Sequence, residues 1–129
     1  MKQRILSAVV FIASFALMSA GVAKNAIKYS KGTAVVNTSS IVNARGFQGK
    51  TPVKIYIKGN KITKIEALPN QETPAIFARA EELLAKFTGK TVSEAQTMKV
   101  DGVSGATYSS KALIENVRGG LKYYRDNKK

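Results

Sequence analysis

Strict alternation is clearest in the middle of the chain, where Val53, Ile55 and Ile57 interleave with Lys54, Tyr56 and Lys58. This period of two predicts a strand with aliphatic side chains on one face and amphipathic ones on the other. Gly59 and Asn60, which both tolerate positive φ, predict a two-residue hairpin loop. The return strand carries Ile62, Ile65 and Ala67, and its alternation slips between Ile62 and Ile65, which predicts a β-bulge there. Upstream, "GTAVVNTSSIV" over 32–42 predicts an early strand, and "GFQGK" over 46–50 a turn.

The period then changes to that of a helix. In "NQETPAIFARAEELLAKFTGK", Thr73 is suited to cap a helix, Pro74 to its first turn and Gly89 to its end. Ile76, Ala80, Leu83, Leu84 and Phe87 fall on one face, placing an apolar stripe against a sheet and leaving Glu81 and Glu82 solvated. A linker with one helical turn around Ser93 to Gln96 leads to Met98 and Val100, a candidate strand that delivers Asp101. The last helix is expected from about Ser109 to Asp126, with Leu113, Val117, Leu121 and Tyr124 as its buried stripe. Gly120 lies near that stripe and suits a close approach to the sheet, and Gly119 suits a kink. The sum is an α+β fold: a single domain over 24–129 with a twisted, mainly antiparallel sheet packed with two principal helices. No repeats and no second domain are visible in the 129 residues.

The N-terminal pattern is different. Lys2 and Arg4 precede an apolar run from Ile5 to Val22, with small residues suited to cleavage after Ala23. Residues 1–23 therefore read as a signal peptide or an N-terminal membrane anchor, and either places the rest at the periplasmic or extracytoplasmic side. No Cys follows the run to carry a lipid. The net charge is +13, of which Lys2 and Arg4 account for only two, so the basic character belongs to the domain. Such a charge attracts anions without choosing among nucleic acid, lipid head groups and phosphorylated cofactors; export argues against nucleic acid. The absence of Cys and His removes disulfides, thiolate and imidazole metal sites, and the usual neutral-pH proton shuttle. Redox chemistry in this chain would need a borrowed cofactor.

"DGVSGATYSSKAL", Asp101 to Leu113, concentrates small and hydroxylic residues ahead of the last helix. Gly102 and Gly105 permit a tight turn, and Ala106 offers little obstruction to an approaching group. The unpaired N–H groups and dipole of a helix start attract a phosphate, and Ser104, Thr107, Ser109 and Ser110 add hydroxyls. Two readings follow from the residues: a phosphate-binding turn, or an ordinary helix cap with surplus serines. Asp101 on the second reading is a turn residue bonding its own backbone.

"DGVSGAT" resembles the flavin-attachment motif of the FMN-binding domain family, which includes flavin subunits of sodium-pumping NADH:quinone oxidoreductase and of the Rnf complex. Asp101, Ser104, Gly105, Ala106 and Thr107 occupy its fixed positions. "GFQGKTPVKIYIKGNKITKIEAL" resembles the family's opening hairpin, and "ETP", Glu72 to Pro74, the loop and helix start that meet the flavin. Beyond Pro74 the chain reads "AIFAR" where relatives often have glycines. The resemblance implies FMN joined by a phosphoester to Thr107, installed from FAD by a separate exported flavin transferase with a metal ion. It implies that Asp101 orients the turn or is recognised by the transferase, that Ser104 bonds the phosphate or the turn, and that Gly105 and Ala106 admit it. Tyr108 would flank the isoalloxazine ring, Ser109 would add its hydroxyl, and Glu72 and Thr73 would lie beside the flavin. The expected function is an exported electron-transfer flavoprotein exchanging electrons with a membrane or extracytoplasmic donor and acceptor, its basic surface leaning on anionic lipid. The alternatives are an exported non-redox binding module with a reversible phosphate or FMN site, and a small exported reductase. "GKTPVK" lacks the spacing of a P-loop.

Overall fold

A computed structural model describes residues 26–128; the expected signal peptide or anchor at 1–23 lies outside the described residues. Four strands, β1 (Ile27–Ser30), β2 (Thr33–Asn37), β3 (Val53–Lys58) and β4 (Lys61–Ala67), form one antiparallel sheet in chain order. Strand β1 is an addition to the expected pattern: Lys31 and Gly32 both take positive φ and close a tight turn before β2. The predicted early strand is shorter than 32–42. It stops at Asn37, whose side chain accepts from Ser39 N at 2.9 Å and starts a 3-10 turn, Thr38–Ser40. Gly59 and Asn60 form the second hairpin with positive φ. The expected bulge is present: Tyr56 pairs with Lys64 but Ile57 with Ile62, so Thr63 is the extra residue.

Helices cover one face of this sheet. Helix α1 (Pro74–Glu81) continues as a 3-10 stretch, Glu82–Phe87, and Gly89 at φ +87° turns the chain away. The expected stripe holds for Ala80, Leu83, Leu84 and Phe87, all buried, but Phe77 rather than Ile76 enters the core. Ile76 is exposed because Phe77, Ala80 and Leu84 already set the inward face one position further round. Helix α2 (Val92–Thr97) starts with a capping box in which Thr91 Oγ1 accepts from Glu94 N and Glu94 accepts from Thr91 N. Met98 to Val100 is not a strand. Met98 N donates to Glu94 O and Met98 O accepts from Arg118, so helices take the backbone groups a ladder would need. Helix α3 (Thr107–Asn127) is continuous and begins two residues earlier than expected.

Ala34, Val36, Val53, Ile55, Ile57 and Ile62 of the sheet meet Phe77, Phe87, Leu113, Val117 and Leu121 of the helical layer. The two glycines of α3 act through close packing, and the helix runs through Gly119 without a break. A Cβ on Gly119 would lie 2.6 Å from Val42 Cγ2, and one on Gly120 2.7 Å from Ile55 Cδ1 and 2.8 Å from Thr38 Cγ2. Thr38 has no room to yield, because its hydroxyl donates to Asn116 Oδ1 at 2.7 Å and accepts from Val53 N at 2.9 Å. Asn116 Nδ2 donates to Ala112 O and Thr51 Oγ1, so this fully buried polar group is satisfied. Gly120→Ala is therefore expected to lower stability by about 1 kcal/mol in urea unfolding, overpacking of about 1–3 kcal/mol exceeding the helix-propensity gain of about 1 kcal/mol. A variant as stable as the parent would mean the sheet and α3 separate freely.

Candidate functional site

The start of α3 is uncapped by any side chain. Gly105 takes φ +84°, Ala106 N donates to Val103 O at 2.9 Å, and Ala106, at the cap position, has no side chain with which to cap. Ser110 N is the first amide to find a helical acceptor, Ala106 O; the amides of Thr107, Tyr108 and Ser109 have none among the described hydrogen bonds. Three backbone donors and the positive end of a 21-residue helix thus converge beside the exposed Thr107.

The hydroxyls divide into two sets. Ser109 and Ser110 are buried and turned inward: Ser109 Oγ donates to Glu72 Oε1, and Ser110 Oγ accepts from Val103 N at 3.0 Å. Their hydroxyls brace the turn, and Ser109 also lines the concavity beside Thr107, as expected of a site residue, with its hydroxyl engaged by Glu72. Ser104 and Thr107 remain exposed. Asp101 is exposed too and forms none of the described hydrogen bonds, so the backbone-bonding turn role is not seen.

Glu72 organises the other wall. The residue is 5% exposed, and its carboxylate accepts from the amides of Phe47 at 2.9 Å, Gln48, and Gly49 at 3.0 Å as well as from Ser109. One carboxylate therefore ties the 46–49 turn to the first turn of α3. Gly46 must lack a side chain, since a Cβ there would fall 2.3 Å from Glu72 Oε1. Burial pushes the Glu72 carboxyl up, but the hydrogen bonds from Ser109 and then from the amides of Gln48, Phe47 and Gly49 hold it, on balance, below the usual glutamate value.

This clamp sets two exposed aromatic rings side by side. Phe47 and Tyr108 have ring centroids 5.9 Å apart and an interplanar angle of 39°. With the exposed Ile76 they border a concavity of about 190 Å³ whose floor includes Glu72, Thr73, Gly105, Ala106 and Thr107. Thr73 lines it without capping α1, for its side chain makes no cap hydrogen bond. Arg79 reaches from α1 to the turn: Nη2 donates to Ser104 O at 2.8 Å, and Nη1 lies 3.2 Å from where a Gly105 Cβ would be. Phe47, Ile76 and Arg79 are additions to the residues read from sequence. The signal for Phe47 was an aromatic inside a glycine turn; Ile76 was assigned to the core, and Arg79 had no helical reason to be singled out.

A larger concavity, about 500 Å³, lies on the opposite face of the sheet and contains none of these residues. Among the described residues no group of three or more His, Cys, Asp or Glu side chains could hold a metal ion; what stands beside Thr107 is a set of acceptor-free amides, the Arg79 guanidinium and an aromatic shelf.

The lowered carboxyl of Glu72 has a signed consequence. Folding favours its ionised form, so its contribution is complete above the ordinary value of 4.5 and is lost as pH falls through the lower folded value. Glu72→Gln is expected to cost about 1–3 kcal/mol at neutral pH and to flatten the fall in stability below that value, measured by urea unfolding across pH. An unchanged acid limb would show that Glu72 is not ionised in the folded protein.

Comparison with known families agrees with this geometry. Residues 46–122 match the model of the FMN-binding domain, a span that begins at the glycine beneath Glu72 and takes in the hairpin, α1, the Asp101–Thr107 turn and most of α3. The whole concavity beside Thr107 falls within that span, and the chain belongs to the FMN-binding domain family.

Proposed function

We propose that this chain is an exported electron-transfer flavoprotein that carries FMN as a phosphoester on Thr107. The observation that supports this reading best is the exposed Thr107 at an uncapped helix start, with three acceptor-free amides around it and an aromatic shelf alongside. FMN suits these residues: a phosphate matches the amides and the nearby Arg79 guanidinium, and a flat ring system matches Phe47, Tyr108 and Ile76. When bound, FMN supplies reversible electron transfer, which a chain without Cys or His does not offer from its own side chains.

The residues divide the work. Gly105 takes the positive φ of the turn and leaves room for the Arg79 guanidinium, Arg79 holds Ser104 O and places positive charge beside the turn, and Ser109 and Ser110 fix the turn from beneath. Attachment joins Thr107 Oγ1 to the FMN phosphorus of FAD. The pyrophosphate bond breaks, AMP leaves, the hydroxyl proton passes to a base, and no oxidation state changes. A Thr hydroxyl needs activation for such a step, and no described hydrogen bond joins Thr107 to a base, so an exported transferase with a metal ion is assigned the catalysis. The flavin-bearing domain then acts as a carrier between an extracytoplasmic donor and acceptor rather than as an enzyme with its own substrate.

Two measurements test this. Protein co-produced with an active exported flavin transferase should gain the mass of FMN less water at Thr107, and Thr107→Ala should not; an unmodified parent beside a modified control protein overturns the reading. Phe47→Ala and Tyr108→Ala should keep the mass gain yet raise flavin fluorescence, each loosening ring docking by about 1 kcal/mol. Unchanged fluorescence in both would remove the shelf from the site.

A further inference from the structure

The outer face of the sheet, turned away from the helices, carries a second pattern. By register Lys28, Val35, Tyr56 and Lys64 form one row across all four strands, and Lys54 and Lys58 flank Tyr56 on the same face. The strands contain five lysines and a single carboxylate, Glu66, whose Oε1 accepts from Tyr56. The other acidic residues sit on helices and loops. Among the described residues the one ion pair is Lys122 with Asp126, on α3, so the sheet-face lysines have no carboxylate bound to them. The concavity of about 500 Å³ lies here, lined by Lys28 and Lys54 with Asn37, Ser39 and Ser40.

The first described residue, Ala26, lies on this face: it lines the same concavity and its carbonyl accepts from Asn37 N at 2.8 Å. The apolar run read as an export signal or anchor ends at Val22. Four peptide steps span at most about 14 Å, comparable with the screening length of about 8–10 Å at physiological salt. We infer that the outer sheet face, centred on Tyr56 and carrying Lys28, Lys54, Lys58 and Lys64, docks on anionic lipid head groups. An anchored N-terminus leaves this face within electrostatic reach of the bilayer surface, and an array of ammonium groups without carboxylate partners, one of them, Lys64, lying 5.2 Å from the Tyr56 ring centroid, is complementary to it. The inference uses the anchor reading of residues 1–23 for the tether and is independent of flavin attachment.

The test is lysine acylation of the full chain on vesicles, read by peptide mass. On phosphatidylglycerol-containing vesicles Lys28, Lys54, Lys58 and Lys64 should label roughly tenfold less than on phosphatidylcholine, and molar salt should erase the difference. Lys86, Lys111 and Lys122, in the helical layer, should label alike on both. The double variant Lys54→Gln, Lys64→Gln should lose the protection at Lys28 and Lys58. Equal labelling of the sheet-face lysines on both lipids overturns the inference, as does protection by a soluble acidic protein but not by lipid. Co-flotation with phosphatidylcholine vesicles judges the anchor separately: its absence refutes the anchor, while protection on anionic vesicles still decides the face.

Discussion

Glu72 is the constraint on which the site depends. A buried carboxylate needs several donors to remain ionised, and this one gathers them from two distant parts of the chain, the amides at 47–49 and the hydroxyl of Ser109. The turn before β3 and the start of α3 are thereby tied to one another by hydrogen bonds to one buried carboxylate. The arrangement of Phe47 beside Tyr108 follows, as each ring is anchored next to a group that touches Glu72. The glycine at 46 is the steric counterpart of the same bond set.

A second polar knot sits deeper. Thr38, Thr51 and Asn116 are buried between the sheet and α3 and bond to one another and to backbone. Apolar packing tolerates small slides of a helix over a sheet, whereas a directional network does not. With Gly119 and Gly120 allowing contact at short range, it sets the position of α3 along the sheet. That position determines where Thr107 falls.

Much of this was legible in the sequence because it is periodic. The β3–β4 hairpin and its bulge, the apolar stripe of the last helix and the close approach at Gly120 all follow from spacing and residue size. The "DGVSGAT" turn was legible as a motif. What escaped has a common cause, which is that it lies in pairings between remote segments. Nothing local marks Glu72 as the acceptor for Phe47, Gln48 and Gly49, or says that Ser109 and Ser110 turn inward while Thr107 stays out. Ile76 was misplaced because a helical stripe read from composition is ambiguous by one residue when Phe77 competes for the same side. Met98 and Val100 looked like a strand because apolar alternation over three residues does not reveal that neighbouring helices hold the backbone.

The missing cap on α3 carries a thermodynamic implication. A helix start without a side-chain acceptor gives up roughly 0.5–2 kcal/mol that Ser, Thr or Asp at position 106 would supply. An anion seated on those amides would restore it, so a domain loaded there would be the sturdier form. For a dissociable ligand that reinforcement fades with dilution, since it grows with the logarithm of free concentration. A ligand fixed by a covalent bond would give it at any dilution, so on dilution a dissociable complex would become open to proteases while a bonded one stayed protected.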